Sequence, residues 1–263
     1  FFFFLKPYYR YAEKDFSINN RPINETEAEQ LKMAISILQR FEGSPEFEWV
    51  SELAPMLKDQ FGLSESNQRV MAFESNIDYS GYEHITVLFN AIVNKRVLSV
   101  EYQPFGKQGF DITFHPYYLK QFNNRWFVFG LNEYNNISTW NLALDRIQSI
   151  KETDGKYSSS KIDWEDYFFD MIGVSRNEDS STEEVVLVFD KEQAPYVHTK
   201  PLHPTQKVRL LDSGDLEVKL NLIVNYELEM RLLSFAEKVK IISPEYLKNK
   251  VVQRIERNMK QYK

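Results

Sequence analysis

The sequence predicts an α+β protein in three parts: a helical N-terminal segment, a small and strongly curved sheet or barrel, and a C-terminal α/β domain of ferredoxin-like order. Three observations predict it. Apolar residues recur at helical spacing before residue 95, short aromatic and branched runs separated by tight turns crowd residues 97–152, and strands alternate with helices from residue 185 onward.

The first helix is expected from Asn24, which precedes Glu27 as a capping pair, and runs through Ala28, Leu31, Ile35, Leu38 and Phe41 to end near Gly43. A second spans about Glu46 to Gln60, with Phe47, Val50, Leu53, Ala54 and Leu57 inward and Pro55 working against its continuity. The third, Tyr82 to Asn94, presents Ile85, Leu88, Phe89 and Ile92. Such stripes commonly pair with each other or with a second subunit, so a homodimer is expected.

Val97 to Gln103 alternates as a strand, and Pro104-Phe105-Gly106 turns it. The hairpin His115–Gly130 follows, then Ile137 to Leu142 and Leu144 to Glu152. That many strands in so few residues require a strongly curved sheet or barrel. Asp154 to Asp163, polar and containing Ser158-Ser159-Ser160, reads as linker. Beyond it come the strand Val185–Asp190, a short helix Lys191–His198, the strands Gln206–Leu211 and Leu216–Val224 joined by Asp212-Ser213-Gly214-Asp215, the helix Tyr226–Ala236, the strand Val239–Ile242, and a last helix capped by Ser243-Pro244. The order is β-α-β-β-α-β plus one helix.

Composition excludes several chemistries. With 263 residues, 43% hydrophobic, the chain can bury more than one core. It has no cysteine, which removes disulfides, thiolate metal sites and a Cys nucleophile and fits a reducing, cytoplasmic setting. The longest apolar run, Phe1 to Leu5, is far short of the roughly 20 residues of a membrane helix. A net charge of −6 repels a phosphate backbone, so nucleic acid could bind only at a local basic patch. One such patch is Lys95, Arg96, Lys107, Lys120 and Arg125, set against Glu101 and Asp111.

The hairpin carries the most chemistry. Asn123-Asn124 tolerates the positive φ angles of a two-residue type I′ turn. The turn fixes the register: Phe122 opposite Arg125, Gln121 opposite Trp126, Lys120 opposite Phe127, Leu119 opposite Val128 and Tyr118 opposite Phe129. Leu119, Trp126 and Val128 then form a core face. Tyr118, Lys120, Phe122, Arg125 and Phe127 are left to face water or a partner. Cations beside flat rings suit an anionic ligand with bases, whereas the plainer reading is ordinary sheet packing with snorkelling cations.

Other constellations carry less. His198 and His203, with Asp190 and Glu192 nearby, lack a third metal ligand in register, and His203 is expected to hydrogen-bond within its loop. Glu227 and Glu229 fall on different helix faces and are read as solvated. Lys248, Lys250, Arg254, Arg257 and Lys260 spread around the last helix as an exposed face. No Ser-His-Asp order, phosphate loop or His-Glu-x-x-His motif is present, so no catalytic residue, metal or cofactor is expected.

From His84 to Glu152 the chain resembles the WYL domain of bacterial transcription regulators. The naming triplet stands here as Trp126, Phe127 and Val128, preceded by His115-Pro116 and Tyr118-Leu119-Lys120 and followed by Leu144-Asp145-Arg146-Ile147. Pro201-Leu202-His203-Pro204-Thr205-Gln206 and Tyr226-Glu227-Leu228-Glu229 are similar to the C-terminal extension called WCX. Tyr8-Tyr9-Arg10-Tyr11 and Asp15-Phe16 are similar to the end of a winged helix-turn-helix and its linker, and residues 1–11 read as the tail of something larger.

The resemblance implies a regulator, not an enzyme. An N-terminal winged helix, mostly missing here, would bind promoter DNA, a small Sm-like (SH3-like) barrel would sense a nucleic-acid or nucleotide-like effector, and the extension would help dimerise. The implied parts are a winged-helix remnant at 1–23, a helical connector at 24–81, the WYL barrel at 82–153, a linker at 154–182 and WCX at 183–263. The effector would meet Lys120, Arg125 and Arg146 for charge and Tyr118 and Phe127 for stacking, with His115 beside them. Many relatives carry basic residues where this chain has Trp140 and Ala143. That implies either a weaker anion site or a ligand with less charge and more stacking surface. The rival readings are a metal-dependent hydrolase or nuclease using His115 and Asp145 as acid and base, and a purely structural dimerisation module.

Overall fold

The computed structural model describes residues 25–38, 80–176 and 179–263. The chain divides into two compact units, residues 1–86 and 87–263. In the first, helix α1 (Glu25–Leu38) begins one residue after Asn24, as the capping pair predicts. The winged-helix remnant expected at 1–23, Phe41 and the helix expected at 46–60 lie outside the described residues. A 3₁₀ turn, Tyr82–His84, leads into α2 (Ile85–Val93). The apolar stripe of α2 needs one correction. Ile85, Leu88 and Ala91 are buried, but Phe89 is 56% exposed, along with Val87 and Val93. At 100° per residue a stripe centred on Leu88 leaves its neighbour Phe89 on the flank.

The second unit holds two antiparallel sheets, so the protein is of mixed α+β type. The first consists of β1 (Val97–Tyr102), β2 (Phe110–Phe122), β3 (Arg125–Asn132), β4 (Ile137–Ala143) and β5 (Ile147–Thr153), in the order β4-β3-β2-β1-β5. Strands β4 and β5 form opposite edges, yet only the 3₁₀ turn Leu144–Arg146 joins them. A flat sheet of this width would separate its edges by about 19 Å at 4.8 Å per strand. The link from Ala143 to Ile147 reaches roughly 14 Å at most. The sheet is therefore strongly curved, and the Tyr102 hydroxyl on β1 lies 3.3 Å from the Ala143 N–H on β4. Leu98, Val100, Phe114, Val128, Leu142 and Leu144 fill the concave side without exposure.

The second sheet is built from β6 (Glu183–Phe189), β7 (Lys207–Leu210), β8 (Leu216–Leu222) and β9 (Val239–Ser243), in the order β7-β8-β6-β9. Helix α4 (Ala194–Thr199) connects β6 to β7, α5 (Tyr226–Leu233) connects β8 to β9, and α6 (Glu245–Met259) follows. Along β8 the alternation is strict: Leu216, Val218, Leu220 and Leu222 are buried, and they pack with Val185, Leu187, Phe189, Leu228 and Leu232. From α6, Leu247 and Val251, one turn apart, enter the same core.

The two carboxylates read as solvated are in fact buried. They do lie on different faces of α5, but each face is covered. Glu227 Oε1 accepts from the Val174 and Ser175 N–H groups at 3.2 and 3.0 Å and from the Ser175 hydroxyl at 2.8 Å. Glu229 takes Lys250 at 3.3 Å and Arg254 at 3.0 Å from α6, so two of the basic residues on the last helix are tied inward. Asn225 caps α5 through the Leu228 N–H and donates to the Ile172 and Ser175 carbonyls.

Candidate ligand-binding face

The β2–β3 hairpin has the register its turn predicts at all five expected pairs, from Phe122 opposite Arg125 to Tyr118 opposite Phe129. Asn123 and Asn124 both adopt positive φ, 47° and 56°. The core face is shallower than expected. Val128 is fully buried, but Leu119 and Trp126 are only half-buried. Strand β1 pairs with β2 no farther than Phe114, and β4 pairs with β3 only from Phe127. The tip is thus a two-stranded ribbon projecting beyond the sheet, with less surface to bury it.

The opposite face, expected to be open, is covered by the segment read as linker. Tyr157 donates to the Pro116 carbonyl at 2.6 Å, Tyr117 donates to the Ser158 carbonyl at 2.7 Å, and the Ser158 N–H donates to His115 Nδ1 at 3.1 Å. Burial pushes the Tyr157 phenol up to about 12, with Tyr117 adding to the effect, so this fastening stays protonated at ordinary pH. Asp163 then caps a short helix, α3 (Trp164–Phe169), accepting from the Glu165 and Asp166 N–H groups. Residues 164, 167 and 168 share one side of that helix, and their rings meet the hairpin. Trp164 stacks on Tyr118 with ring centres 5.7 Å apart and planes 14° from parallel. Phe168 meets the edge of Phe129 at 4.9 Å, and Phe122 and Phe127 pack against the same cluster.

The three expected cations have three different settings. Lys120 Nζ sits 3.6 Å from the centre of the Phe168 ring. Partial burial lowers its ammonium to about 8, against an opposing attraction from Glu227. Arg125, 42% exposed, pairs with Asp145 at 3.3 Å, whose side chain is 6% exposed. Arg146 lies over the Phe105 ring at 4.7 Å. Asp145 Oδ1 and Arg146 Nε are buried without a protein partner. His115 is buried, its Nδ1 an acceptor, so the neutral ring carries its proton on Nε2, 3.6 Å from the Glu133 carboxylate.

Of the expected ligand residues, then, Tyr118, Lys120 and Phe127 form one patch beneath α3, Arg125 pairs with Asp145 at the hairpin's end, and Arg146, the next residue along, lies over Phe105 in the β1–β2 connection. His115 belongs to the fastening of residues 157–158. Its polar partners, Ser158 and Glu133, are not those of Asp145, which pairs with Arg125. His203 donates from Nε2 to the Phe169 carbonyl at 2.8 Å and bonds the Thr205 hydroxyl through Nδ1 at 2.8 Å. Burial lowers its pKa despite the Phe169 bond and the nearby Asp170. Among the described residues no group of three or more His, Asp or Glu is placed to hold a metal ion. No helix there is long and apolar enough to cross a membrane. The sequence reading missed Trp164, Tyr167 and Phe168, although Asp163 followed by aromatics at positions 164, 167 and 168 is a capped amphipathic turn.

Comparison with known proteins places these elements. Residues 83–152 match the family model of the WYL domain, and residues 181–259 match that of the WCX domain. No curated protein sequence matches the chain. Among solved structures, the proteasome accessory factor B/C (PafBC) of Arthrobacter aurescens is similar at 17% identity and a TM-score of 0.30, over 91% of this chain and 36% of that one. A CRISPR Cas-related protein is similar at 10% identity and a TM-score of 0.27, over 91% of this chain and 73% of that one. The chain thus spans little more than a third of the length of PafBC. With the two family models in this order, the chain belongs to the WYL-domain proteins that carry a C-terminal WCX extension.

Proposed function

We propose that the protein is a ligand-responsive transcription regulator whose WYL domain senses a nucleic-acid or nucleotide-like ligand on the hairpin face. A winged helix N-terminal to the described residues would bind promoter DNA. The observation that carries this reading is Lys120 set among Tyr118, Phe127 and Phe168, with Arg125 at the end of the same hairpin. Such a face offers charge for phosphate and flat rings for bases. The unpartnered Asp145 Oδ1 and Arg146 Nε add one acceptor and one donor for a polar ligand.

The curvature and strand order of the first sheet support an Sm-like barrel, and β7-β8-β6-β9 with two connecting helices supports a ferredoxin-like WCX domain. The exposed Val87, Phe89 and Val93 on α2 support a homodimer. Light scattering should give twice the chain mass at micromolar concentration, and a monomer would remove that part of the reading. The role is binding, not catalysis, and the setting is the cytoplasm.

Titration with short single-stranded oligonucleotides at low salt tests the reading. Each phosphate neutralised should add about 0.7 to the log–log salt slope, and each stacked base about 1–3 kcal/mol. Arg125→Ala should weaken binding and flatten the slope. Phe127→Ala should weaken it and leave the slope nearly unchanged. Parent-like binding by both variants, or no binding of any oligonucleotide or nucleotide, would leave the face a packed piece of sheet.

Lys120 adds a pH signature. Its ammonium loses its proton as pH rises through about 8, so affinity for an anionic ligand should fall between roughly pH 7 and 9. Lys120→Met should bind more weakly at pH 7 and lose that dependence. For folding the sign is opposite: the folded-state value lies below the usual lysine value of 10.5, so between the two the unfolded chain holds more protons and stability rises with pH.

A further inference from the structure

We infer that the segment from Tyr157 to Phe169 is an internal mimic of the ligand, closing the hairpin face until a single-stranded nucleic acid displaces it. This deepens the reading above and rests on it. The segment has the chemistry of what it would exclude. Trp164 lies on Tyr118 at 5.7 Å and 14°, the geometry a stacked base would take, and Phe168 receives the Lys120 ammonium. Asp163, Glu165 and Asp166 make the exposed side of the same segment acidic.

Its attachment also suits a removable cover. The N-terminal end is fastened by hydrogen bonds among Tyr157, Ser158, Pro116, Tyr117 and His115. The C-terminal end is held by Arg176 to the Tyr167 carbonyl at 3.2 Å, by His203 to the Phe169 carbonyl, and by the Ile223 N–H to the Asp170 carbonyl at 2.7 Å. Between these points α3 is a six-residue helix. A helix that short does not persist by itself in water and stays formed here by its cap and by ring contacts. The rings can leave while both ends remain tied. Ligand affinity is then reduced by the fraction of molecules in which the face is open.

The test measures binding of a fluorescein-labelled eight-nucleotide thymidine strand at low salt by the parent, Trp164→Leu and Asp163→Ala. The Asp163 side chain is solvent-exposed and removes only the helix cap, so that variant keeps the test alive should Trp164→Leu fold poorly. Both variants should bind more tightly, by about five-fold or more for Trp164→Leu, one stacking contact's worth. Amide hydrogen exchange at residues 164–169 of the parent should quicken on adding the strand. Variants that bind like the parent, or slower exchange in the complex, overturn the mimic and leave the proposed function standing. Weaker binding by Trp164→Leu with Asp163→Ala unchanged makes Trp164 part of the ligand's platform and also overturns it. If neither parent nor variants bind, the proposed function falls, and the mimic with it.

Discussion

Replacing Gly130 with alanine should lower the stability of the protein by about 3 kcal/mol, read as a fall in the denaturant midpoint at unchanged slope. Gly130 lies in the middle of the first sheet, paired with Pro116 on one side and Trp140 on the other. A Cβ there would stand 2.2 Å from the His115 carbonyl oxygen and 2.6 Å from the edge of the Phe114 ring. Neither neighbour can yield. The oxygen belongs to a paired strand at the point where the β2–β3 register shifts, and Phe114 has no exposed surface. Because Phe114 also pairs with Leu98 of β1, displacement would spread across three strands. A midpoint close to that of the parent would mean that the sheet opens at this point without cost.

Glu227→Ala should have an effect of similar size, about 3 kcal/mol. One carboxylate oxygen holds two backbone N–H groups and a hydroxyl, and Val174 is itself buried. Without it those donors remain inside with nothing to accept them. The turn they define is specific to this contact: Gly173 has φ +87° and its missing Cβ would stand 2.4 Å from Glu227 Cγ. Glu227→Gln separates hydrogen bonding from charge. Its carbonyl oxygen can keep all three donors, so it should lose far less stability than Glu227→Ala. Since the carboxylate raises the Lys120 pKa, the amide should also let Lys120 titrate at still lower pH. Equal losses in the two variants would show that charge, not hydrogen bonding, holds the turn.

The parts of this structure that were legible in the sequence are those fixed by local chemistry. Two asparagines able to adopt positive φ set the hairpin and, through it, every cross-strand pair out to Tyr118 and Phe129. Strict alternation fixed β8, and Ser243-Pro244 fixed the start of α6. The misses share a cause. Whether Phe89 is covered, whether Glu229 meets Arg254, and whether Tyr118 meets Trp164 are decided by which distant segment arrives at that spot. Spacing along one strand or helix does not encode that. The candidate site shows the same division: Tyr118, Lys120 and Phe127 were correctly assigned to one face, while the segment lying on that face was taken for linker because its beginning is polar and serine-rich.

Val174 lies between the two sheets in a way that bears on how the protein can be taken apart. Its carbonyl accepts from Asn141 of β4 at 3.2 Å, and its N–H donates to Glu227 of α5. One residue is thus gripped from both sides, and the aromatic helix just before it roofs the first sheet. The WYL and WCX regions are consequently not interchangeable beads on a string. Expression of residues 83–152 alone would strip Phe129 and Tyr117 of their cover and present a wet aromatic patch prone to self-association. A fragment meant to report on the first sheet should extend through Arg176, and one meant to report on the second should begin before Ile172.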